Sequence, residues 1–374
     1  MKADFRFAWL VLSISLCFLF QPVLVLAGTF AVEPGGYIAG GLDHYGAFWD
    51  EDGEPDTTQG ILRNAKLEFE FLVGDAWEAE VDGSYEWKRG DRDLDLGDAY
   101  VEYRGWESLK LRLGRFKEPF GFERLESYSR LVTSERSMAT SSFAPGRSQG
   151  LVFGQAHESK TLELGVFTNE PEGESSRAVT GRVTLAPVHD NNRLVHLGVA
   201  GSWRNYNGDR FQIKDDGEVP SADNIVRSAR FDAQESILGG LEFAGIVGRY
   251  TLVSEFMMQR VRRDTGQWWT FSGSYLQLSA FISDDHRKYR RGGLRRVKPA
   301  STLGALEVVM RYSTVDLRDH GLGAEASTTL IGLAYYLGKS FQLRLNHLFP
   351  EISGNALSPD PDGSATTVRV VLRL

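Results

Sequence analysis

The chain has 374 residues, a formal net charge of −8 and 42% hydrophobic residues. Its single cysteine, Cys17, lies in the N-terminal segment, so the rest of the chain has no thiol for a disulfide, a nucleophile or a metal site. The negative net charge also argues against nucleic-acid binding, which needs a basic face on an accessible domain.

The N-terminal segment predicts export. Lys2 and Arg6 precede an apolar run, and the sequence VLA ends at Ala27. This arrangement is typical of a secretory signal peptide that is cleaved after Ala27. The alternative is a single anchoring helix, which the glutamine and proline at the end of the run would cut short. We therefore expect residues 1–27 to be a signal peptide and residues 28–374 to form the mature domain.

Beyond residue 27 no run of 18 apolar residues occurs, and apolar and polar residues alternate in many segments. In FQLRLNHLF, Phe341, Leu343 and Leu345 alternate with polar residues. Transmembrane β-strands alternate in this way, with apolar side chains toward lipid and polar ones toward the lumen. A soluble β-sandwich alternates too. The length and number of the segments, and the aromatic residues at their ends, favour a barrel.

Sixteen such segments can be counted, and an even number suits a closed antiparallel barrel. Closure matters because lipid offers no hydrogen-bond partner to an open sheet edge. We therefore predict an all-β fold, a 16-stranded antiparallel transmembrane β-barrel with long external loops.

The connections between these segments alternate between long and short. If the first strand starts in the periplasm, the external connections include the long ones, which are 49–59, 117–147, 205–235, 315–326 and 350–364. The others are mostly tight turns, as in outer-membrane barrels.

One connection on the short side, 283–301, is long and basic. It contains RKYRRGGLRRVKP, in which seven of the twelve residues from Arg287 to Lys298 are basic. In a narrow channel, such a cluster concentrates anions and selects against cations. The alternative is a solvated basic loop, or one that touches anionic lipid or peptidoglycan.

Several long stretches resemble the phosphate-selective porin O and P family. They include LRLGRFKEPFGFERLES, SERSMATSSFAPGRSQGLVFG, GSYLQLSAFISDDHRKY and TTLIGLAYYLGKSFQLRLNHLF, and the resemblance runs from about residue 60 to the C terminus. It implies a usually trimeric outer-membrane porin of a Gram-negative bacterium, which passes small anions, phosphate or polyphosphate foremost, and in which some loops fold into the lumen. It implies no enzyme activity and no cofactor. The expected partners are small anions, membrane lipid and lipopolysaccharide, and further copies of the chain, but no nucleic acid.

The resemblance also implies where anions pass. The loop after LGRFKEPFG corresponds to the third external loop of the family, which contributes positive charge to the constriction. Its candidates are Lys117, Arg124, Arg130, Arg136 and Arg147. The 283–301 connection corresponds to an inward periplasmic segment, with candidates Arg287, Lys288, Arg290, Arg291, Arg295, Arg296 and Lys298.

Three alternatives remain open at this stage. The third loop also carries Glu118, Glu123, Glu126 and Glu135, which nearly balance its positive charge and favour a weakly or differently selective channel. A barrel hydrolase is the second, because GRSQG formally fits a nucleophile elbow at Ser148. This motif precedes a strand, however, whereas an elbow turns from a strand into a helix. The third is an adhesion or scaffold barrel with a plugged lumen.

Overall fold

Sixteen long antiparallel strands form one closed sheet. A computed structural model describes residues 24–26, 30–49, 56–169, 176–354 and 363–374 of the chain. The long strands are β1 (Phe30–Gly46), β2 (Asp56–Val73), β3 (Trp77–Lys88), β4 (Asp91–Trp106), β5 (Leu109–Lys117), β6 (Arg147–Ala156), β7 (Lys160–Asn169), β8 (Ser176–His189), β9 (Arg193–Asn205), β10 (Phe231–Val247), β11 (Tyr250–Arg263), β12 (Trp268–Phe281), β13 (Ala305–Asp316), β14 (Ala324–Leu337), β15 (Phe341–Gly354) and β16 (Ala365–Arg373).

The barrel closes between its first and last strands. β1 pairs with β2 on one side and with β16 on the other, with Tyr37 opposite Arg373 and Tyr45 opposite Ala365. Every other strand pairs with the strands that precede and follow it in the chain. The predicted 16-stranded antiparallel barrel is therefore confirmed.

Alternation places apolar side chains outside and polar ones inside. On β13, Met310 is 51% exposed on the outer surface, whereas Arg311 next to it is 1% exposed and points inward. This period of two arises because successive side chains of a strand point to opposite faces of the sheet, one toward lipid and the other toward a polar lumen. The outer surface is accordingly rich in exposed leucine and valine.

The outer surface changes from apolar to polar between two neighbouring rows of paired residues on β5 to β10. The row nearer the short turns is apolar and consists of Leu113, Leu151, Val166, Val179, Trp203 and Ile237. The next row toward the long loops, which we call the polar row, consists of Arg115, Gln149, Thr168, Arg177, Asn205 and Glu235. The two rows mark the edge of the apolar belt at the long-loop end.

Three connections in the described part of the chain fold into the lumen. The inner loop (118–146) contains helices α1 (Phe122–Leu125) and α2 (Met138–Phe143), and many of its side chains are buried. The second inward loop (206–230) enters from the same end, and the basic segment (282–304) enters from the opposite end.

The described residues contain no helix that is both long and apolar enough to span a bilayer. Most of the predicted signal peptide, residues 1–27, lies outside the described part of the chain. Only Leu24–Leu26 belongs to it, as a short strand paired with the start of β1. The signal peptide stays a prediction.

Candidate anion passage

The inner loop is fastened to the β11 to β16 side of the barrel. The carboxylate of Glu255 on β11 accepts hydrogen bonds from the backbone N–H groups of Phe122 and Glu123, at 2.6 and 2.9 Å. On β15, Arg344 donates to the backbone oxygens of Tyr128 and Thr133. The loop therefore fills one half of the lumen and leaves the half along β2 to β6 open.

Arg311 on β13 connects the inner loop to the barrel wall. Its guanidinium lies 2.8 Å from Glu123 of the inner loop and 3.1 Å from Glu218 of the second inward loop. It also donates to Gln277 and Thr133. A buried arginine needs this many partners because taking a charge out of water is costly.

Three of the four acidic residues of the inner loop have such partners. Glu123 pairs with Arg311, Glu135 lies 3.0 Å from Arg63, and Glu118 pairs with Arg204 and accepts from Ser148. None of the three contributes to the lining of the open half of the lumen. Three of the four acids that nearly balance the loop in the sequence are thus removed from the open half of the lumen in the fold.

The open half of the lumen is a cavity of about 740 Å³, which we call the passage. Its lining includes Glu70 near the short-turn end of β2 and Asp93 near the long-loop end of β4, so the passage extends along much of the length of the barrel. Among the described residues, nine acidic and nine basic side chains line it. The basic ones are Arg63, Lys66, Arg112, Lys117, Arg124, Arg130, Arg136, Arg147 and Arg296.

Five of these cations have no carboxylate within 4 Å among the described residues. They are Lys117, Arg124, Arg130, Arg136 and Arg296. Backbone oxygens of the inner loop fix three of them: Lys117 donates to the carbonyls of Arg124 and Glu126, Arg124 to that of Ala144, and Arg136 to that of Glu126. Carbonyl dipoles orient a cation without cancelling its charge, so these groups remain able to attract an anion.

Crowding of like charges accompanies this arrangement. Burial, followed by repulsion from Arg136, lowers the pKa of Arg124 to about 9. Burial lowers the pKa of Arg136, and burial together with Arg130 lowers that of Arg296. An incoming anion would relieve this repulsion, as an opposite charge nearby favours the charged form.

The opposite wall of the passage, on β2 to β4, is acidic, but most of its carboxylates are occupied. The Lys66 amine lies 2.7 Å from Glu68, 2.8 Å from Asp82 and 3.8 Å from Glu80. These three carboxylates are close enough to one another to hold a metal ion, yet the lysine already supplies the positive charge there. Arg147 likewise engages Asp98 at 2.9 Å.

A second cavity, of about 540 Å³, lies at the short-turn end beneath the inner loop. The basic segment forms a small hairpin there, with Tyr289–Arg290 paired to Gly293–Leu294. Gly292 has φ 84°, which a glycine adopts without strain, and the tight turn aims Arg290 and Arg291 at the cavity. Arg295 lines the same cavity, and Arg130 lines both cavities and so stands at their junction.

The remaining candidates of the basic segment lie elsewhere. Arg287 is buried and bonds Glu307 at 2.6 Å and the hydroxyl of Tyr336 at 2.7 Å, so it fastens the segment to the wall. Lys288 and Lys298 are exposed and line neither cavity. The structure thus brings together nine of the twelve candidate cations along the two cavities.

Three cations of the passage are not among the predicted candidates: Arg63 and Lys66 on β2, and Arg112 on β5. Lys66 falls on the polar phase of its strand, and that signal could have found it. Arg63 lies at an irregularity in the pairing with β3, between Leu62 and Ala65, where simple alternation fails.

The sequence matches the family described as phosphate-selective porin O and P over residues 43–374. The chain belongs to this family. Porin O of Pseudomonas aeruginosa is 22% identical over 336 residues, which are 81% of this chain and 76% of that protein. The family predicted from the sequence is therefore confirmed.

Solved porins share the fold. An anion-selective porin from Comamonas acidovorans superposes with a TM-score of 0.57 at 12% identity, covering 92% of this chain and all of that one. OmpT of Vibrio cholerae in its trimer form gives 0.57 at 9% identity, with 93% and 100% covered. The family and the barrel together make the chain an outer-membrane porin of a Gram-negative bacterium, as predicted.

Proposed function

We propose that this porin passes small anions by diffusion, with phosphate or polyphosphate as the preferred solute. The observation that carries this proposal is the set of passage cations without a carboxylate partner, which includes Arg124, Arg130 and Arg136. The family and its relative porin O support the choice of phosphate. The mechanism is electrostatic. An anion exchanges part of its hydration shell for hydrogen bonds from arginine and lysine, and it can leave because it is bound at several neighbouring sites, none of which holds it tightly.

The two cavities suggest the order of contacts. An anion entering from the long-loop end meets Lys117, Arg124 and Arg136 first and then Arg130 at the junction. Below it, Arg290, Arg291 and Arg295 line the second cavity. Arg290 and Arg291 share Glu158 at 3.7 and 3.9 Å, a loose contact between exposed groups. Such surface pairs contribute little, so both arginines stay available to the solute.

No covalent step is part of the proposal. Ser148, the residue of the nucleophile-elbow motif, is buried and donates its hydroxyl to Glu118 at 2.7 Å. It sits on β6 at the base of the inner loop and helps to hold that loop in place. A catalytic serine needs a base that takes up its proton, and a carboxylate ion-paired with Arg204 suits a structural role better.

We further propose a homotrimer embedded in membrane lipid and lipopolysaccharide. The trimer form of OmpT supports the first part, and the apolar belt of the barrel supports the second. Native mass spectrometry of the detergent-solubilised protein would give the number of chains directly, and a monomer would contradict the trimer.

Phosphate titration of chloride current in a planar bilayer tests the function. We expect millimolar phosphate to reduce the current in the wild-type porin and to do so less in the Arg130→Gln variant. Lys288→Gln is the matched control, because this exposed cation of the basic segment lines neither cavity. Equal block in wild type and Arg130→Gln would show that the solute does not contact Arg130 at the junction. No block at all would favour a weakly selective channel.

A further inference from the structure

A depression on the outer surface of the barrel is not used by the passage. It covers about 780 Å³ over β4 to β9, and we call it the outer groove. Its sides are exposed apolar residues, among them Leu113, Val166 and Val179. Ala99, Gly114 and Gly150 lie in its floor, where small or absent side chains leave the sheet uncovered. The groove is thus open toward the membrane.

The outer groove ends at the polar row. Arg115, Gln149, Thr168 and Arg177 of that row form its edge toward the long loops. Trp203 stands beside them, 40% exposed, as aromatic residues do at membrane interfaces. An apolar hollow with a polar edge on the lipid-facing surface has the shape of a site for an amphiphile.

The polar edge is positive. Arg115 donates to the backbone oxygen of Leu96 at 2.9 Å and lies 3.4 Å from Asp95. Arg177 is exposed and has no ion-pair partner among the described residues. Three strand spacings separate the two arginines, which is about 14 Å across the sheet. Arginine at a membrane interface costs little and attracts phosphate of the lipid headgroups.

We propose that the outer groove binds a phosphorylated, acylated glycolipid of the outer leaflet. One acyl chain lies in the apolar hollow, and headgroup phosphates contact Arg177 and Arg115. The long loops face the outside, so the edge of the groove lies at the level of that leaflet. The spacing of the two cations suits a headgroup with two phosphates better than one with a single phosphate. This site rests on the membrane embedding proposed above and gives it a location. It lies on the opposite surface of the wall from the passage, so its occupant is independent of the solute that the porin passes.

Native mass spectrometry of the delipidated porin in detergent tests this site. The probes are diphosphorylated lipid A, its monophosphorylated form and phosphatidylglycerol. We expect the diphosphorylated lipid to bind best and Arg177→Gln to weaken it about fivefold, the contribution of one arginine at a charged membrane surface. Lys339→Gln is the matched control, an exposed cation in the turn after β14 at the other side of the membrane. Equal affinity of wild type and Arg177→Gln would overturn the proposal.

A second variant, Val166→Trp, fills the apolar hollow without touching the arginines. We expect it to reduce binding of every acylated probe while the number of chains in the assembly stays the same. Unchanged binding would show that the acyl chain lies elsewhere and would overturn the proposal. Dissociation into monomers would overturn it as well, because the groove would then be covered by a second copy of the chain.

Discussion

The two faces of the passage carry opposite charges but differ most in how those charges are neutralised. On the acidic face, Lys66 engages Glu68 and Asp82, and Arg147 engages Asp98. On the basic face, Arg124 and Arg136 donate only to backbone carbonyls. Most carboxylates of the acidic face therefore contact a cation of the wall, whereas Arg124 and Arg136 of the basic face contact no carboxylate among the described residues.

This difference explains how a chain of net charge −8 can form an anion path. The formal totals along the passage are equal, so a count of charges predicts no selectivity. An ion in a narrow lumen responds to the local field, which closely paired charges produce only weakly. The unpaired cations of the inner loop and the basic segment then determine the sign of the charge selectivity.

The largest expected effect comes from removing a cation that has a purely structural role. Arg311→Met would leave Glu123 and Glu218 buried without their partner, at a cost of about 3–5 kcal/mol. We expect lower stability in denaturant and a larger, noisier single-channel conductance as the inner loop detaches. Arg318→Met is the control, because its exposed pairs with Asp316 and Glu325 should contribute about 1 kcal/mol or less. Equal stability of the two variants would show that Arg311 does not hold the loop.

A second variant removes the unpaired charge itself. In Arg124→Gln with Arg136→Gln, both new side chains can still donate to carbonyls, so the loop should stay folded. Two unit charges about 5 Å from the ion path in water correspond to roughly a tenfold change in the permeability of the anion. We expect the zero-current potential to move toward cation preference. Arg193→Gln, at the exposed start of β9, should leave it unchanged, and a double variant that behaves like this control would refute the role of the basic face.

The pH dependence depends on Glu126, which lines the second cavity near Arg130. Burial raises the pKa of Glu126 to about 7, although Arg287 and Arg130 act in the opposite direction. Below that pH the carboxyl is neutral, and above it the negative charge offsets Arg130. Anion preference should therefore fall by about two- to fivefold between pH 6 and pH 8. Glu126→Gln should keep the low-pH value throughout.

A pH step that persists in Glu126→Gln would assign it to other carboxyls. Two carboxyls of the second inward loop titrate in the same pH range, because burial raises the pKa of Asp216 to about 6 and that of Glu218 to about 7. Measurement of the step in Asp216→Asn and Glu218→Gln would then separate these two.

The smallest effect concerns the acidic face. Glu70 lines the passage and has no ion-pair partner among the described residues, so its charge is not cancelled. At pH 8, Glu70→Gln should raise the permeability of the anion by about twofold, the effect of one charge about 10 Å away across water. Glu68→Gln should change it less, because the Lys66 amine 2.7 Å away weakens the field of the Glu68 carboxylate. A reversed order of the two variants would mean that pairing does not determine the field.

The sequence predicted the strands well because each strand carries its own signal. The alternation around Met310 and Arg311 depends only on neighbouring residues and on the contrast between lipid and lumen. The bounds predicted for the long connections lie within a few residues of those observed, and the alternation of long loops and short turns is present in the fold.

The charge pairing along the passage could not be predicted in the same way. Arg311 meets Glu123 across 188 positions of the chain, and Arg204 meets Glu118 across 86. No local pattern reveals such partners. The sequence shows Glu118 and Arg124 only as two charged residues of one loop, whereas in the fold Arg204 neutralises the charge of Glu118 and no described carboxylate neutralises that of Arg124. Arg287 also looked like a path residue, whereas Glu307 and Tyr336 hold it in the wall.

The zero-current potential of the wild-type porin across a potassium chloride gradient tests the central claim most directly. At pH 6 the passage has its unpaired arginines charged and Glu126 neutral, so we expect a potential of the sign that chloride preference produces. A potential of the opposite sign would show that the acidic face controls the passage, and the assignment of the inner-loop cations to an anion path would then be wrong.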